Sequence, residues 1–288
     1  MPSRSHAFRR TGIFPLLILL GLVWPAGAAE KSAAFLLVKD GLASPHQPAT
    51  VEAKLVARGL LAETALGGEP LELLVDGNVV ATAMTGGDGR AFLSYVPKAQ
   101  GVVPVRVQVG NSPRVAPAGG QGHLAVWEKR NPILVVEMAA LIEDASPPVP
   151  LPGVGSKLEP ERKPMAGAAD ELGKLTQFYY RVVYVAAAAP ADGFRTSVEA
   201  RDWLATHKFP PGYLLVLPPG EEALGNKIDE LHAAGWKTIK TGIGRSKGFA
   251  EAFLRRRLDA LMVPEPAKGE APRKAKIAKD WKEVRKKL

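Results

Sequence analysis

The stretch Pro132-Ile133-Leu134-Val135-Val136-Glu137-Met138-Ala139 decides how the second half of this chain is read. A continuous apolar run that stops at a charge is the pattern of a strand buried on both faces, the kind that parallel sheets contain. Downstream, similar runs recur at 181–187, 213–217, 236–241 and 259–263, with helical stretches at 196–207, 221–234 and 247–257 between them. Alternation of strand and helix predicts a parallel sheet covered on both faces. Residues 143–169 break the rhythm: they are rich in Pro, Gly and Ala, carry few large apolar side chains, and read as an irregular loop or flap.

Upstream of the same stretch the apolar period is two. Val51, Ala53, Leu55 and Ala57 alternate with Glu52, Lys54, Val56 and Arg58, while Val103, Val105, Val107 and Val109 enclose Arg106 and Gln108. These are half-buried strands. Asp76-Gly77-Asn78 and Gly86-Gly87-Asp88-Gly89 place residues tolerant of positive φ between apolar runs, so both read as hairpin turns. About seven short strands over residues 33–127 predict a β-sandwich. Leu73-Leu74-Val75-Asp76-Gly77, then Gly87-Asp88-Gly89-Arg90-Ala91-Phe92 and a Val-rich last hairpin resemble the bacterial immunoglobulin-like modules, a resemblance that implies a fold and no chemistry. Trp127 is expected to pack in a core or at a domain junction.

The second half resembles the haloacid dehalogenase (HAD) superfamily. The run from Trp203-Leu204 to His207-Lys208-Phe209-Pro210-Pro211-Gly212-Tyr213-Leu214-Leu215 is similar to the helix, Phe-Pro-x-Gly turn and strand of the lipin-type phosphatidate phosphatase branch. Val183-Tyr184-Val185-Ala186 stands at the family's second motif and Lys227, with Ile228 and Leu231, at its third. Thr241-Gly242-Ile243-Gly244-Arg245-Ser246-Lys247 stands at the fourth. The resemblance implies an α/β HAD-like Rossmannoid domain, and at the motif positions this chain departs from the family. Glu137 and Ala139 replace the Asp-x-Asp pair, Ala186 the phosphate-gripping Ser or Thr, and Ile243 with Lys247 the acidic pair that holds magnesium.

Each departure removes chemistry. The extra methylene of Glu137 displaces an attacking oxygen by about an ångström, a shift that can cost roughly a hundredfold in rate. Ala139 removes the general acid/base. Magnesium wants several hard oxygen ligands, and one carboxylate beside an ammonium does not supply them. No metal and no cofactor is expected. Lys227, Arg245 and Lys247 remain as candidates for holding an anion, such as a phosphate-containing ligand, at a helix N-terminus.

Composition narrows the remaining possibilities. The chain has no Cys, which excludes disulfides, thiolate metal sites and cysteine nucleophiles. Its five histidines never fall at metal-ligand spacing, and no Ser sits in a Gly-x-Ser-x-Gly elbow. Gly242, Gly244 and Gly248 loosely follow a dinucleotide-loop pattern, but glycine spacing alone is poor evidence. Arg4, Arg9 and Arg10 precede an apolar run from Ile13 to Trp24 and the small residues Ala26-Gly27-Ala28-Ala29, the order of a secretory signal peptide. Export to a bacterial periplasm or to the medium is expected, with no transmembrane span in the mature chain, because the run falls short of the ~20 residues a spanning helix needs.

The net charge of +9 is confined to the two ends: three arginines stand before residue 30, and residues 272–288 hold eight Lys and Arg against Asp280 and Glu283. The body between is neutral, so specific nucleic-acid binding is not expected. After a Pro-, Glu- and Lys-rich linker, Ile277, Trp281, Val284 and Leu288 share one face of a predicted tail helix. Arg273, Lys274, Lys276, Lys279, Lys282, Arg285, Lys286 and Lys287 surround that face. The stripe either docks on the α/β domain or joins the basic face in meeting an anionic surface such as a membrane.

The sequence therefore predicts a signal peptide at 1–29, an immunoglobulin-like β-sandwich at 30–129, a HAD-like α/β domain at 130–264, and a linker with a basic tail helix at 265–288. The expected function is that of an exported, catalytically inactive phosphatase-like protein that binds a ligand or a protein partner. The alternatives are an active phosphatase using Glu137 and a purely structural interaction scaffold.

Overall fold

A computed structural model describes residues 31–58, 63–143 and 162–288, so the expected signal peptide and most of the Pro-rich loop lie outside the described residues. The alternating first half forms β1 (Ala34–Val38), β2 (Gly41–Ala43), β3 (Ala49–Arg58), β4 (Glu63–Ala65) and β5 (Pro70–Val75), followed by β6 (Asn78–Met84), β7 (Arg90–Tyr95), β8 (Gly101–Val109) and β9 (Gly119–Val126). One sheet has the order β1-β3-β4 with β7 also paired to β3, and the other runs β2-β9-β8-β5-β6. Val51, Ala53 and Leu55 from the first sheet and Leu71, Leu73, Val105 and Val107 from the second are buried against each other, the two inner faces of a β-sandwich.

Of the two turns read as hairpins, one forms. Asp76 and Gly77, both at positive φ, join the antiparallel pair β5 and β6. The second, at residues 86–89, instead carries the chain from β6 in one sheet to β7 in the other. The glycines signal a backbone that must visit positive φ, and a corner between sheets needs that as much as a hairpin does.

The second half supplies β10 (Ile133–Glu137), β11 (Arg181–Ala187), β12 (Tyr213–Leu217), β13 (Ile239–Gly244), β14 (Asp259–Met262) and β15 (Lys276–Ile277). Its helices are α1 (Ala168–Phe178), α2 (Gly193–Thr206), α3 (Glu221–Ala233), α4 (Lys247–Leu254) and α5 (Trp281–Lys287). The six strands are parallel, in the order β12-β11-β10-β13-β14-β15. From central β10 the chain steps outward to β12, returns to β13 and steps outward again, a doubly wound order that reverses between β10 and β13. Leu134 and Val136 face α1, α2 and α5 through Leu172, Leu175, Leu204 and Trp281, whereas Ile133 and Val135 face α3 and α4 through Ile228, Leu231 and Phe253. Helices thus change face where the strand order reverses, as right-handed crossovers require.

Two parts of the sequence reading are corrected here. Helix α1 starts at the last two residues of the region read as loop and fills the stretch up to 178 to which no element was assigned, with Ala168, Leu172 and Leu175 on its buried side. The tail helix is shorter than the reading that began it at Ile277, because β15 pairs with β14 and only α5 packs as a helix into the core. Ile277 lies in the strand, Asp280 caps the helix by accepting the backbone N–H groups of Lys282 and Glu283, and Trp281 and Val284 are fully buried. Of the two roles weighed for the apolar stripe, docking is the one seen. All eight basic side chains of the tail nevertheless remain exposed. Among the described residues no helix is long and apolar enough to cross a membrane.

The halves share one compact unit, residues 31–288. Trp127 is buried at their junction, donating its backbone N–H to Ala43 and packing in one cluster with Ile133, Val135 and Trp236.

Candidate functional site

Strand β10 ends at Glu137 because Met138–Ala140 turn into a short 3-10 helix. This leaves a carboxylate at the C-terminal end of the central strand, beside the end of β13, in the crevice where doubly wound sheets place their ligands. The carboxylate is already engaged. Its Oε2 accepts the backbone N–H groups of Arg245 at 2.6 Å and Ser246 at 2.8 Å, and its Oε1 accepts the Ser246 hydroxyl at 2.5 Å. Ser246 is the N-cap of α4, and its Oγ also accepts the N–H of Phe249 at 3.2 Å. Glu137 therefore places an internal anion where the unpaired N–H groups and dipole of a helix start favour negative charge.

The glycine pattern beside it has a packing cause. A Cβ on Gly242 or Gly244 would overlap the rings of Phe253 and Phe249, so these glycines let α4 lie close on β13. They bring no nucleotide loop with them.

The other predicted site residues separate into groups. Ala139 and Ala186 line a small recess of about 110 Å³ next to Glu137, with Val185, Leu217, Pro218 and Phe249 as apolar walls. Ile243 is fully buried in the core. Lys247 is exposed and stands 3.9 Å from Glu251, and the Arg245 guanidinium donates to the carbonyl of Ile142 at 3.3 Å. Lys227 pairs with Glu230 at 2.6 Å and lines a different cleft, with Lys39, Glu52 and Tyr213. None of these three cations lines the recess, so the expected anion cluster of Lys227, Arg245 and Lys247 is not assembled there. The carboxylate of Glu137 takes the helix-start donors in its place. Among the described residues no group of three or more His, Asp or Glu side chains is placed to hold a metal ion.

Sequence reasoning missed a second polar cluster, which ties the two halves together. Asp40, between β1 and β2, has a side chain only 1% exposed and pairs at 2.5 Å with Arg201 of α2, itself 10% exposed. Arg201 also donates to the carbonyls of Gln121 at 2.7 Å and Val38 at 3.4 Å. Asp40 in turn accepts the backbone N–H groups of His123 at 2.9 Å and Leu214 at 3.4 Å. Burial lowers the pKa of His123 from its ordinary value, and the Arg201 charge adds to this against the opposing pull of Asp40. The available signal was on α2, where Ser197 and Arg201 fall on the same buried face as Phe194 and Leu204. A charge on a core stripe needs a buried partner.

Elsewhere at the junction, burial raises the phenol pKa of Tyr213, helped by the carboxylates of Asp40, Glu230 and Glu52. Tyr184, fully buried, donates its hydroxyl to the carbonyl of Pro210 at 2.7 Å and so fastens β11 to the turn at 209–212.

No protein-family model matches the chain, and no curated protein sequence matches it. Among solved structures it is similar to the M3 domain of titin, at 17% identity over 32% of this chain and 92% of that one, with a TM-score of 0.23. It is also similar to the D00-D0 domain of intimin, at 15% identity over 32% of this chain and 45% of that one, with a TM-score of 0.22. A cycloisomaltooligosaccharide glucanotransferase from Paenibacillus sp. aligns at 11% identity over 74% of this chain and 28% of that one, with a TM-score of 0.28. Likenesses this distant define no family for the chain. Fold and site together define a class: a β-sandwich joined to a doubly wound α/β half whose switch-point crevice is occupied by the chain's own carboxylate.

Proposed function

We propose that this chain is an exported, non-catalytic relative of the HAD-type phosphatases, preceded by an immunoglobulin-like module, and that it works by binding a ligand or partner. The observation that carries the reading is the bonding of Glu137. A nucleophile needs a free oxygen aimed at the substrate, whereas both oxygens of Glu137 are bonded to the start of α4. The recess beside it is walled by Ala139, Ala186 and other apolar groups, with no second carboxylate to share a magnesium ion or to protonate a leaving group. The doubly wound strand order supports the HAD-like assignment, and the apolar run at residues 13–24 supports export.

The test is turnover. With magnesium present, the chain is expected to hydrolyse neither p-nitrophenyl phosphate nor phosphatidate above the uncatalysed rate. Metal-dependent turnover that Glu137→Gln abolishes would establish an active enzyme and overturn the reading.

A further inference from the structure

We propose that the edge of the α/β half formed by α1 and α5 is a docking surface for an anionic lipid bilayer, with Phe178 and Tyr179 entering the headgroup layer beside the basic tail. The inference is independent of the reading of the Glu137 crevice.

The two helices share a buried side and leave two chemistries outside. α1 and α5 pack against each other, joined by an ion pair between Glu171 and Arg285 at 3.7 Å. Leu172, Leu175, Trp281 and Val284 face the same core. The Trp281 indole N–H donates to the carbonyl of Ala140 at 2.9 Å, which pins the start of α5 near the C-terminal end of β10. From there α5 passes the first turn of α1, and at the far end of α1, ahead of β11, stand Phe178, 85% exposed, and Tyr179, 63% exposed. At a rise of about 1.5 Å per residue, Phe178 lies roughly one and a half to two turns beyond the level of Glu171 and Arg285. Tyr179 meets the ring of Tyr180 edge-on at 4.6 Å, and with Phe178 it presents aromatic surface to solvent at this helix end.

Charge selects the occupant. Residues 273–288 carry eight cations against Asp280 and Glu283. Those two acids are engaged locally: Asp280 caps α5, and Glu283 accepts the backbone N–H of Lys279 and pairs with Lys287 at 3.5 Å. On α1, Glu171 is held by Lys174 and Arg285, and Asp170 is the helix's other acid and is exposed. Six of the eight cations are lysines, spread over a strand, a helix and the short connections before each. Mobile point charges suit a fluid layer of phosphates better than the fixed geometry of a single carboxylate partner. Neither signal alone gives firm attachment, but aromatic insertion and a polybasic face add.

Point variants are needed to test this, because deleting the tail would remove Trp281 from the core. The chain from Lys31 onward, which forms one compact unit, is sedimented with phosphatidylcholine vesicles with and without phosphatidylglycerol. Binding is expected only with phosphatidylglycerol, weakening as salt rises. Lys282→Ala with Lys286→Ala should lower partitioning about thirtyfold at low salt. Phe178→Ala should lower it about tenfold, and that loss should persist as salt rises. Binding that ignores phosphatidylglycerol, or that Phe178→Ala leaves unchanged, overturns the proposal. So does a single-stranded oligonucleotide that binds more tightly than the vesicles and responds to the same variants, since the surface would then belong to nucleic acid.

Discussion

Replacing Arg201 by Met tests whether the buried ion pair holds the two halves of the chain together. The guanidinium sits 2.5 Å from Asp40 and also serves the carbonyls of Gln121 and Val38, so Met keeps most of the volume and removes every polar contact. Asp40, with its side chain 1% exposed, then keeps only two backbone donors, of which the Leu214 N–H at 3.4 Å is long. Breaking a buried pair by removing one partner costs about 3–5 kcal/mol, because the remaining charge is stranded. Total stabilities are only about 5–15 kcal/mol, so the loss is large. Urea unfolding followed by tryptophan fluorescence reads it as a fall in midpoint. Because Asp40, Val38 and Gln121 belong to the sandwich and Arg201 to α2, the single transition should also tend to split in two. Adding Asp40→Asn to Arg201→Met should recover much of the loss, since no unpaired charge then remains. A loss below about 1 kcal/mol with an unchanged slope, or no recovery in the double variant, refutes the reasoning.

Two further predictions concern the same core. Burial holds His123 neutral in the folded chain at pH values where the unfolded chain, with its ordinary pKa of 6.5, already binds a proton. Stability should therefore fall as pH drops below 6.5 toward the folded value, and His123→Gln should flatten that fall in thermal melts; parallel melting curves for parent and variant across this range would refute it. Trp281→Ala empties a fully buried site and leaves the Ala140 carbonyl without its donor, which should cost about 3–5 kcal/mol in urea unfolding. A loss typical of a surface residue would show that the tail docks only loosely.

The parallel sheet was legible because most of its core strands are short apolar runs that need no partner to be recognised. Strands β11 and β12 begin and end where the runs do. β13 starts later than the apolar run at 236 because Trp236 folds back to donate its backbone N–H to Leu231, closing α3 instead of opening the strand. Helix α1 was hidden because its Leu172 and Leu175 repeat is short and directly follows a Pro- and Gly-rich stretch. The tail was misread for a related reason: Ile277 matches the helical spacing of Trp281, Val284 and Leu288 but is taken by a strand. Propensity and spacing describe one segment at a time, and β14 was the missing neighbour. The Asp40 and Arg201 pair spans 161 residues of chain, and no local pattern connects its members.

The crevice shows why the emptied motif positions and the retained carboxylate belong together on the reading proposed here. Three donors converge at the start of α4: the N–H groups of Arg245 and Ser246 and the hydroxyl of Ser246. Donors that gather at a helix start either bind an anion from solution or are satisfied from within, and a side chain reaching them must be long enough to cross from β10. Glutamate at position 137 makes that crossing. Once there, it repels any second anion and holds the loop between β13 and α4 in place, so an incoming phosphate would have to displace a carboxylate that is covalently kept at the site. The cations expected to assist a phosphate are spent elsewhere, Lys227 on Glu230 and Lys247 on the solvent side of α4. A crevice closed in this way favours recognition through the outer surfaces of the two halves, and the exposed cations of α5 with the exposed aromatic groups at the end of α1 offer one such surface.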